Sequence, residues 1–247
     1  MVKCEYTLVQ LSDPHFGEMG YQSEKIQTAI EEVNDLSPNL VVTTGDLTGD
    51  GLTRQFELAH SALKQLKPKV LTIMGNHDAR NLGYVCFEKY FGKRIVKYED
   101  NNIFMLGVDS SQPDIDTGHI GRTFQGHIHR TLVNAPKDKI KIFALHHHLV
   151  PVPRSGREQD ILVDAGDILK MLVEDGVQVI LCGHRHVSWT WEIERMIIIH
   201  AGTMGSQRTR GMPTQSYNII KIVDDTLSIT LRLIGEKDIK LRTFKLK

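Results

Sequence analysis

The sequence predicts an α/β fold in which one sheet with helical crossovers packs against a second, more antiparallel sheet. Two observations carry this. Short apolar runs alternate with amphipathic helical patterns through the first two-thirds of the chain, as crossover connections require. From Val177 onward, strand-like runs follow one another with short turns and no helix between them.

In order, Thr7–Ser12 reads as a strand and Glu24–Leu36 as a helix with Ala29, Ile30 and Val33 turned inward. Leu40–Thr44 is the second strand, Gln55–Leu66 a helix and Lys69–Met74 the third strand. Val85–Phe91 reads as helix, Ile103–Asp109 as a buried strand, Thr123–Asn134 as helix, Ile140–Leu145 as strand and Asp167–Asp175 as helix. The closing strands are Val177–Cys182, Val187–Ile193, Met196–Ala201, Tyr217–Val223 and Leu227–Leu233. No repeat or linker divides the chain, so its 247 residues are expected to form one domain. The connectors Pro151–Ala165 and Gly202–Ser216 are long, and long ordered loops often carry function.

Hydrophobic residues make up 40% and charged residues 24% of the chain, an ordinary globular composition. Lys+Arg and Asp+Glu both number 30, which argues against a polymer-tracking nucleic-acid binder while leaving room for a local basic groove. No apolar run reaches membrane-span length, and the first residues show no leader pattern. Cys4, Cys86 and Cys182 are odd in number and in no metal-ligand spacing, so reduced thiols in the cytoplasm are expected. Histidine, at 12, is the unusual count.

Five clusters follow predicted strands, where α/β sheets place ligand sites. They are Asp13-Pro14-His15, Gly45-Asp46, Gly75-Asn76-His77-Asp78, His146-His147-His148 and Gly183-His184-Arg185-His186. Extended geometry would put Asp13 and His15 on one side, with Pro14 holding Asp13 out of the helical region. His184 and His186 repeat that spacing. Glycines at 45, 75 and 183 permit tight turns and close approach. Imidazole, carboxylate and amide donors without thiolate favour Mn, Fe, Co, Ni or Zn.

This pattern resembles the calcineurin-like metallophosphoesterase superfamily, whose signature is D-x-H, G-D, G-N-H-D/E, H and G-H-x-H. Arg80, two places beyond Asp78, is similar to the class III cyclic nucleotide phosphodiesterases, as are the spacing from Gly45-Asp46 and the Gly118/Gly121 segment. The resemblance implies a four-layer αββα sandwich of two mixed β-sheets flanked by helices, with a dinuclear metal site at the strand C-terminal ends. It implies one metal on Asp13, His15, Asp46 and His186, and a second on Asp46, Asn76, His146 and His184. Asp46 and a hydroxide would bridge them. His77 would be a catalytic histidine outside the metal shell, oriented by Asp78. Two metals about 3.5–4 Å apart would clamp the phosphoryl oxygens and lower the pKa of the bridging water. Such a site stays roughly one to two charges positive, which suits an anionic substrate. His77 would serve the leaving oxygen, and Arg80 and Asn76 would face the substrate.

Several positions keep two readings. Relatives often carry two histidines and a proline where this chain has three histidines, so the ligand is His146 or, one register on, His147. Gly126-His127-Ile128-His129 copies the G-H-x-H spacing but opens a helix with no strand before it, and reads as a decoy. His60, His127, His129 and His200 read as structural, whereas His119 and His148 flank the predicted cleft. Arg80 could bind phosphate, cap a helix or pair with an acid. Arg208 and Arg210 read as solvated loop charges. Cys182 reads as a small buried hydrophobe, and Trp189 and Trp191 as packing.

The expected activity is metal-dependent hydrolysis of a small phosphodiester, with a cyclic nucleotide among the candidates. A nuclease or nucleotide-lipid hydrolase is the alternative, and a non-catalytic scaffold a third. The expected partner is a small-molecule phosphoester, with neither membrane nor nucleic acid. Relatives are often dimeric, so a homodimer is also implied.

Overall fold

The structure is a computed structural model that describes residues 5–246; Cys4 lies outside them. Its first sheet is built around β1 (Glu5–Leu11), β2 (Leu40–Thr44) and β3 (Val70–Ile73), which run parallel. The second is built around β5 (Ile103–Gly107), β6 (Ile140–Ala144) and β7 (Val179–Cys182), also parallel. Parallel strands buried on both faces read as continuous apolar runs, which is why all of these were visible in the sequence.

Alternation along each strand builds the layers. Leu8, Leu40, Val42 and Ile73 meet Ile103, Met105, Ile142 and Leu181 between the sheets. On the outer face of the first sheet, Val9, Leu11 and Val41 pack against α1 (Ser23–Leu36), α2 (Thr53–Leu63) and α3 (Gly83–Phe91) through Ile30, Phe56 and Phe87. On the outer face of the second, Phe104, Phe143 and Ile180 pack against α4 (Arg122–Val133) and α5 (Ala165–Glu174) through Ile128 and Ile168. The result is the four-layer αββα sandwich. In α1 the buried Ile26, Ala29, Ile30 and Val33 recur at helical spacing. That helix ends where Ser37 turns left-handed and its N–H returns to the Val33 carbonyl.

One expectation is corrected. The late strands do not form a sheet of their own. β9 (Met196–His200) joins β7 in parallel, and β8 (Trp189–Ile193) pairs antiparallel on its outer edge. The chain then crosses back, and β10 (Ser216–Val223) lies antiparallel to β1, followed by β11 (Thr226–Leu233) and β12 (Asp238–Lys245). The reason is burial. β10 offers Tyr217 and Ile219 to the helical layer and Ile220 and Ile222 to the inter-sheet layer, so it fits only inside a sheet covered on both faces. Both sheets are therefore mixed, in the orders β12-β11-β10-β1-β2-β3 and β4-β5-β6-β7-β9-β8, where β4 is Val96–Glu99.

Candidate metal centre

The C-terminal ends of β1, β2, β3, β6 and β7 open on one edge of the sandwich, and all five motif clusters follow them directly. Among the described residues, three groups of side chains could hold a metal ion: Asp13, His15 and His186; His15, Asp46 and His77; and Asp46, His146 and His184.

In the first, His15 Nε2 lies 3.1 Å from His186 Nε2, and His186 Nε2 lies 3.1 Å from Asp13 Oδ1. In the last, His146 Nε2 is 3.2 Å from His184 Nδ1 and 3.0 Å from Asn76 Oδ1, which is itself 3.1 Å from His184 Nδ1. Asp46 joins the groups through one atom, Oδ2, 3.7 Å from His15 Nε2 and 3.3 Å from His146 Nε2. Its other oxygen accepts the His77 backbone N–H at 2.9 Å.

The arrangement suits cations. Asp13 Oδ1 is buried with no hydrogen-bond partner, while Asp13 Oδ2 is occupied by the Ser12 hydroxyl and the His184 N–H. Burial would raise the Asp13 carboxyl, but His186 and His15 beside it hold it well below the usual range. Burial likewise works against Asp46, and His146 and His77 outweigh it, so its carboxyl too is lowered. Burial keeps His15 low, and burial with His147 and His146 keeps His184 low. His146 is pushed up to about 9, because Asp46 and then Asp13 overcome its burial. Ionised carboxylates and imidazole nitrogens converge into a donor set that a positive ion satisfies, displacing the proton that His146 holds beside Asp46.

Carbonyls fix the ring orientations, as outer-shell partners of metal-binding histidines do. His146 Nδ1 donates to the Thr44 carbonyl at 2.6 Å, and His186 Nδ1 to the Arg208 carbonyl at 2.8 Å. The late loop thus reaches the site through backbone, while the Arg208 side chain pairs with Glu18 at 2.6 Å. Arg210 donates to the Ser155 carbonyl.

Three sequence expectations change here. Asp13 and His15 are not extended: their φ values are 52° and 49°, and Asp46, His184 and His186 are left-handed as well, at 51°, 72° and 56°. Pro14 bars the right-handed helical region to Asp13 but leaves the left-handed one open, a region Asp and His enter more readily than most residues. Secondly, Asp78 does not orient His77. Its carboxylate accepts the backbone N–H groups of Leu47, Thr48 and Gly75 and the Thr48 hydroxyl, tying the loops after β2 and β3 together. Burial and then Asp46 raise it to about 6. His77 Nδ1 donates instead to the Gly49 carbonyl at 2.5 Å. Thirdly, Arg80 is engaged: Nη2 lies 2.6 Å from Asp116, and Nη1 reaches the Gly49 carbonyl at 3.4 Å.

The three consecutive histidines point in different directions. His146 faces the cluster, whereas His147 accepts from the Ser110 hydroxyl at 2.8 Å and donates to the Asp116 carbonyl at 3.0 Å. His148 donates to Glu158 at 2.5 Å and stacks on His184. His119 is half exposed, 3.9 Å from Asp164. His127 stacks on Phe124, and His129 pairs with Asp175, so the decoy stands apart from the site. Asp116 was not visible in advance: it is one of several aspartates in a loop without a motif, yet it binds both Arg80 and the Asn76 amide, turning Asn76 Oδ1 toward the histidines. Arg185, the variable residue of G-H-x-H, was also missed. It is 2% exposed and donates to Ser155 Oγ and to the carbonyls of Ser155, Arg157 and Gln159.

Gly45 explains how the loops come so close. Its φ is +90°, and a Cβ there would lie 2.5 Å from His146 Nδ1 and 2.9 Å from Gly75 Cα.

The calcineurin-like phosphoesterase family model matches residues 6–188, which span every one of these clustered side chains. The chain belongs to the calcineurin-like phosphoesterase family. As a calcineurin-like phosphoesterase it is a metal-dependent enzyme, and the family's dinuclear requirement matches the paired groups found here. The chain is 28% identical over 217 residues to a probable glycerophosphodiester phosphodiesterase of Arcobacter nitrofigilis, covering 81% of this chain and 79% of that one. It is 26% identical over 200 residues to a probable cyclic nucleotide phosphodiesterase of Xenorhabdus bovienii, covering 77% and 80%. Among solved structures, a dimetal phosphatase from Danio rerio superposes with a TM-score of 0.79 at 11% identity, over 98% of this chain and 99% of that one; this likeness is one of fold.

Proposed function

We propose that this calcineurin-like phosphoesterase hydrolyses a small phosphodiester, with cyclic nucleotides as the favoured class. The observation that carries the reading is Asp46 Oδ2, a single carboxylate oxygen facing both histidine groups. One ion would be held by Asp13, His15, Asp46 and His186, the other by Asp46, Asn76, His146 and His184. Bound ions would supply Lewis acidity and a nucleophile at neutral pH. The nitrogen and oxygen donors favour Mn, Fe, Zn, Co or Ni.

The chain's own residues do the rest. His77 sets a ring nitrogen within 4.8 Å of ligand atoms of His15 and Asp46 while Nδ1 is held by Gly49, a placement suited to handing a proton to a leaving oxygen. Asp116 fixes Asn76 and draws Arg80 over the same edge, so Arg80 acts first as a positioning group and its approach to a phosphate loosens the Asp116 pair. Asp78 keeps the Asp46 and Asn76 loops in register. The names borne by the two curated relatives, both phosphodiesterases, support diesters over monoesters. A cytoplasmic homodimer belongs to the same proposal.

The test is chelation, restoration of Mn²⁺, and comparison of 3′,5′- and 2′,3′-cyclic nucleotides, glycerophosphodiesters, an aryl diester, an aryl monoester and single-stranded DNA. Metal-dependent turnover with preference for cyclic nucleotides is expected. A preference for the monoester or for DNA would overturn it.

A further inference from the structure

A cavity of about 670 Å³ lies away from the metal centre, lined by Glu88, Lys93, Arg94, Ile95, Asp109, Ser111 and Phe124, with Gly92 at its rim. That volume falls within the range of small-ligand pockets, roughly 300–1,000 Å³. None of its lining residues belongs to the metal-binding groups.

Its walls are chemically sorted. The half-buried Phe124 ring and Ile95 give an apolar side. Opposite charge is already spent within the pocket: Arg94 pairs with Glu88 at 2.9 Å and with Asp109 at 3.2 Å. Lys93 has no ion pair among the described residues. An adjoining hollow shares Ile95 and Phe124 and adds Arg122, His127 and Arg130, which also lack one. α4, which carries Phe124, Arg122, His127 and Arg130, contains no acidic residue. Lys93, Arg122 and Arg130, without ion pairs among the described residues, therefore lie around a Phe124 ring that His127 stacks on one face, in a chain whose formal net charge is zero. Asp109 and Ser111 also line the cavity, the Ser111 hydroxyl and N–H bonded to Asp109 Oδ1 and Arg94 to Oδ2, each carboxylate oxygen keeping a lone pair for a further donor.

We propose that this cavity is a second ligand site for a nucleoside monophosphate: a planar ring against Phe124, sugar hydroxyls toward Asp109, and the phosphate among Lys93 and Arg122. An aromatic wall beside unpaired cations favours a flat anion over inorganic phosphate or a neutral nucleoside. The site has a route to the metal centre. Asp109 and Ser111 flank Ser110, whose hydroxyl holds His147, and the same loop carries Asp116, which fixes Asn76 and Arg80. Occupancy would thus be felt as a change in turnover.

The experiment titrates AMP into the holoenzyme by calorimetry, beside Lys93→Glu, Phe124→Ala and Asp46→Ala. Lys93 is an exposed loop residue, so its variant tests the site without touching the core. AMP binding should weaken at least about tenfold in Lys93→Glu and Phe124→Ala and persist in Asp46→Ala. Adenosine and inorganic phosphate should each bind more weakly than AMP. Both pocket variants should keep wild-type turnover in the absence of AMP. Binding that disappears in Asp46→Ala and survives both pocket variants would place AMP at the metal centre alone and overturn the proposal. So would no AMP binding to any of the proteins.

Discussion

His77 shows how little a side chain needs in order to be aimed. Among the described residues, its Nδ1 faces only the Gly49 carbonyl and, at 3.0 Å, Arg80 Nη1, and its backbone N–H is tied to Asp46. On the proposed assignment, in which His77 is outside both ligand sets, His77→Ala should retain both metals by elemental analysis while turnover falls by about 10²–10⁴-fold. Equal loss of metal would show that the histidine is a ligand. His200 behaves in the opposite way. It is fully buried, neither ring nitrogen has a partner, and burial with nearby His148 pushes it down to about 3 from 6.5. The unfolded chain takes up this proton as pH falls through 6.5 and the folded chain does not. Stability from the neutral ring is therefore complete above that value and is lost progressively toward pH 3. At about pH 5 the deficit is about 2 kcal/mol. His200→Leu should remove it, read as a smaller gap between urea midpoints measured at about pH 5 and about pH 8.

At the scale of elements, the strands that carry the site were the legible ones. β2 and β7 are buried throughout, open on apolar residues and lead into Gly45-Asp46 and Gly183-His184, so sequence alone placed each strand beside its motif. β4 and β12 were missed for a physical reason. They are edge strands whose exposed positions carry Lys97, Glu99, Lys240 and Arg242, charges that protect an edge and erase an apolar run. The backbone of the ligand loops was misread because a two-residue spacing is shared by extended and left-handed turns, and only tertiary contacts choose between them. Asp116 and Arg185 were hidden because each acts through the fold on a distant loop. Arg185 makes the 151–165 segment an ordered connector, with four hydrogen bonds from one guanidinium. Arg185→Met should leave the sheets intact and speed proteolytic cleavage within that segment by about tenfold or more. Unchanged cleavage would mean that the loop is held by its own packing.

For the whole molecule, the decisive fact is the return of the chain. The family match ends at residue 188, but β10 forms one side of β1, and Ile220 and Ile222 complete the layer between the sheets. A fragment ending at residue 188 should therefore lack a cooperative unfolding transition, whereas the full chain should unfold in a single one by calorimetry. Two resolved transitions in the full chain would divide it into separate domains. The site shares this dependence. Asp13, His15, Asp46 and Asn76 follow strands of one sheet, and His146, His184 and His186 follow two strands of the other. Ions seated there would rivet the two halves of the sandwich at one end, and the sheets could part only by hinging about them. Chelation should then quicken amide exchange along β6 and β9, from the ends that adjoin the site down the length of the seam, making the enzyme's cofactor a part of its skeleton as well as of its chemistry.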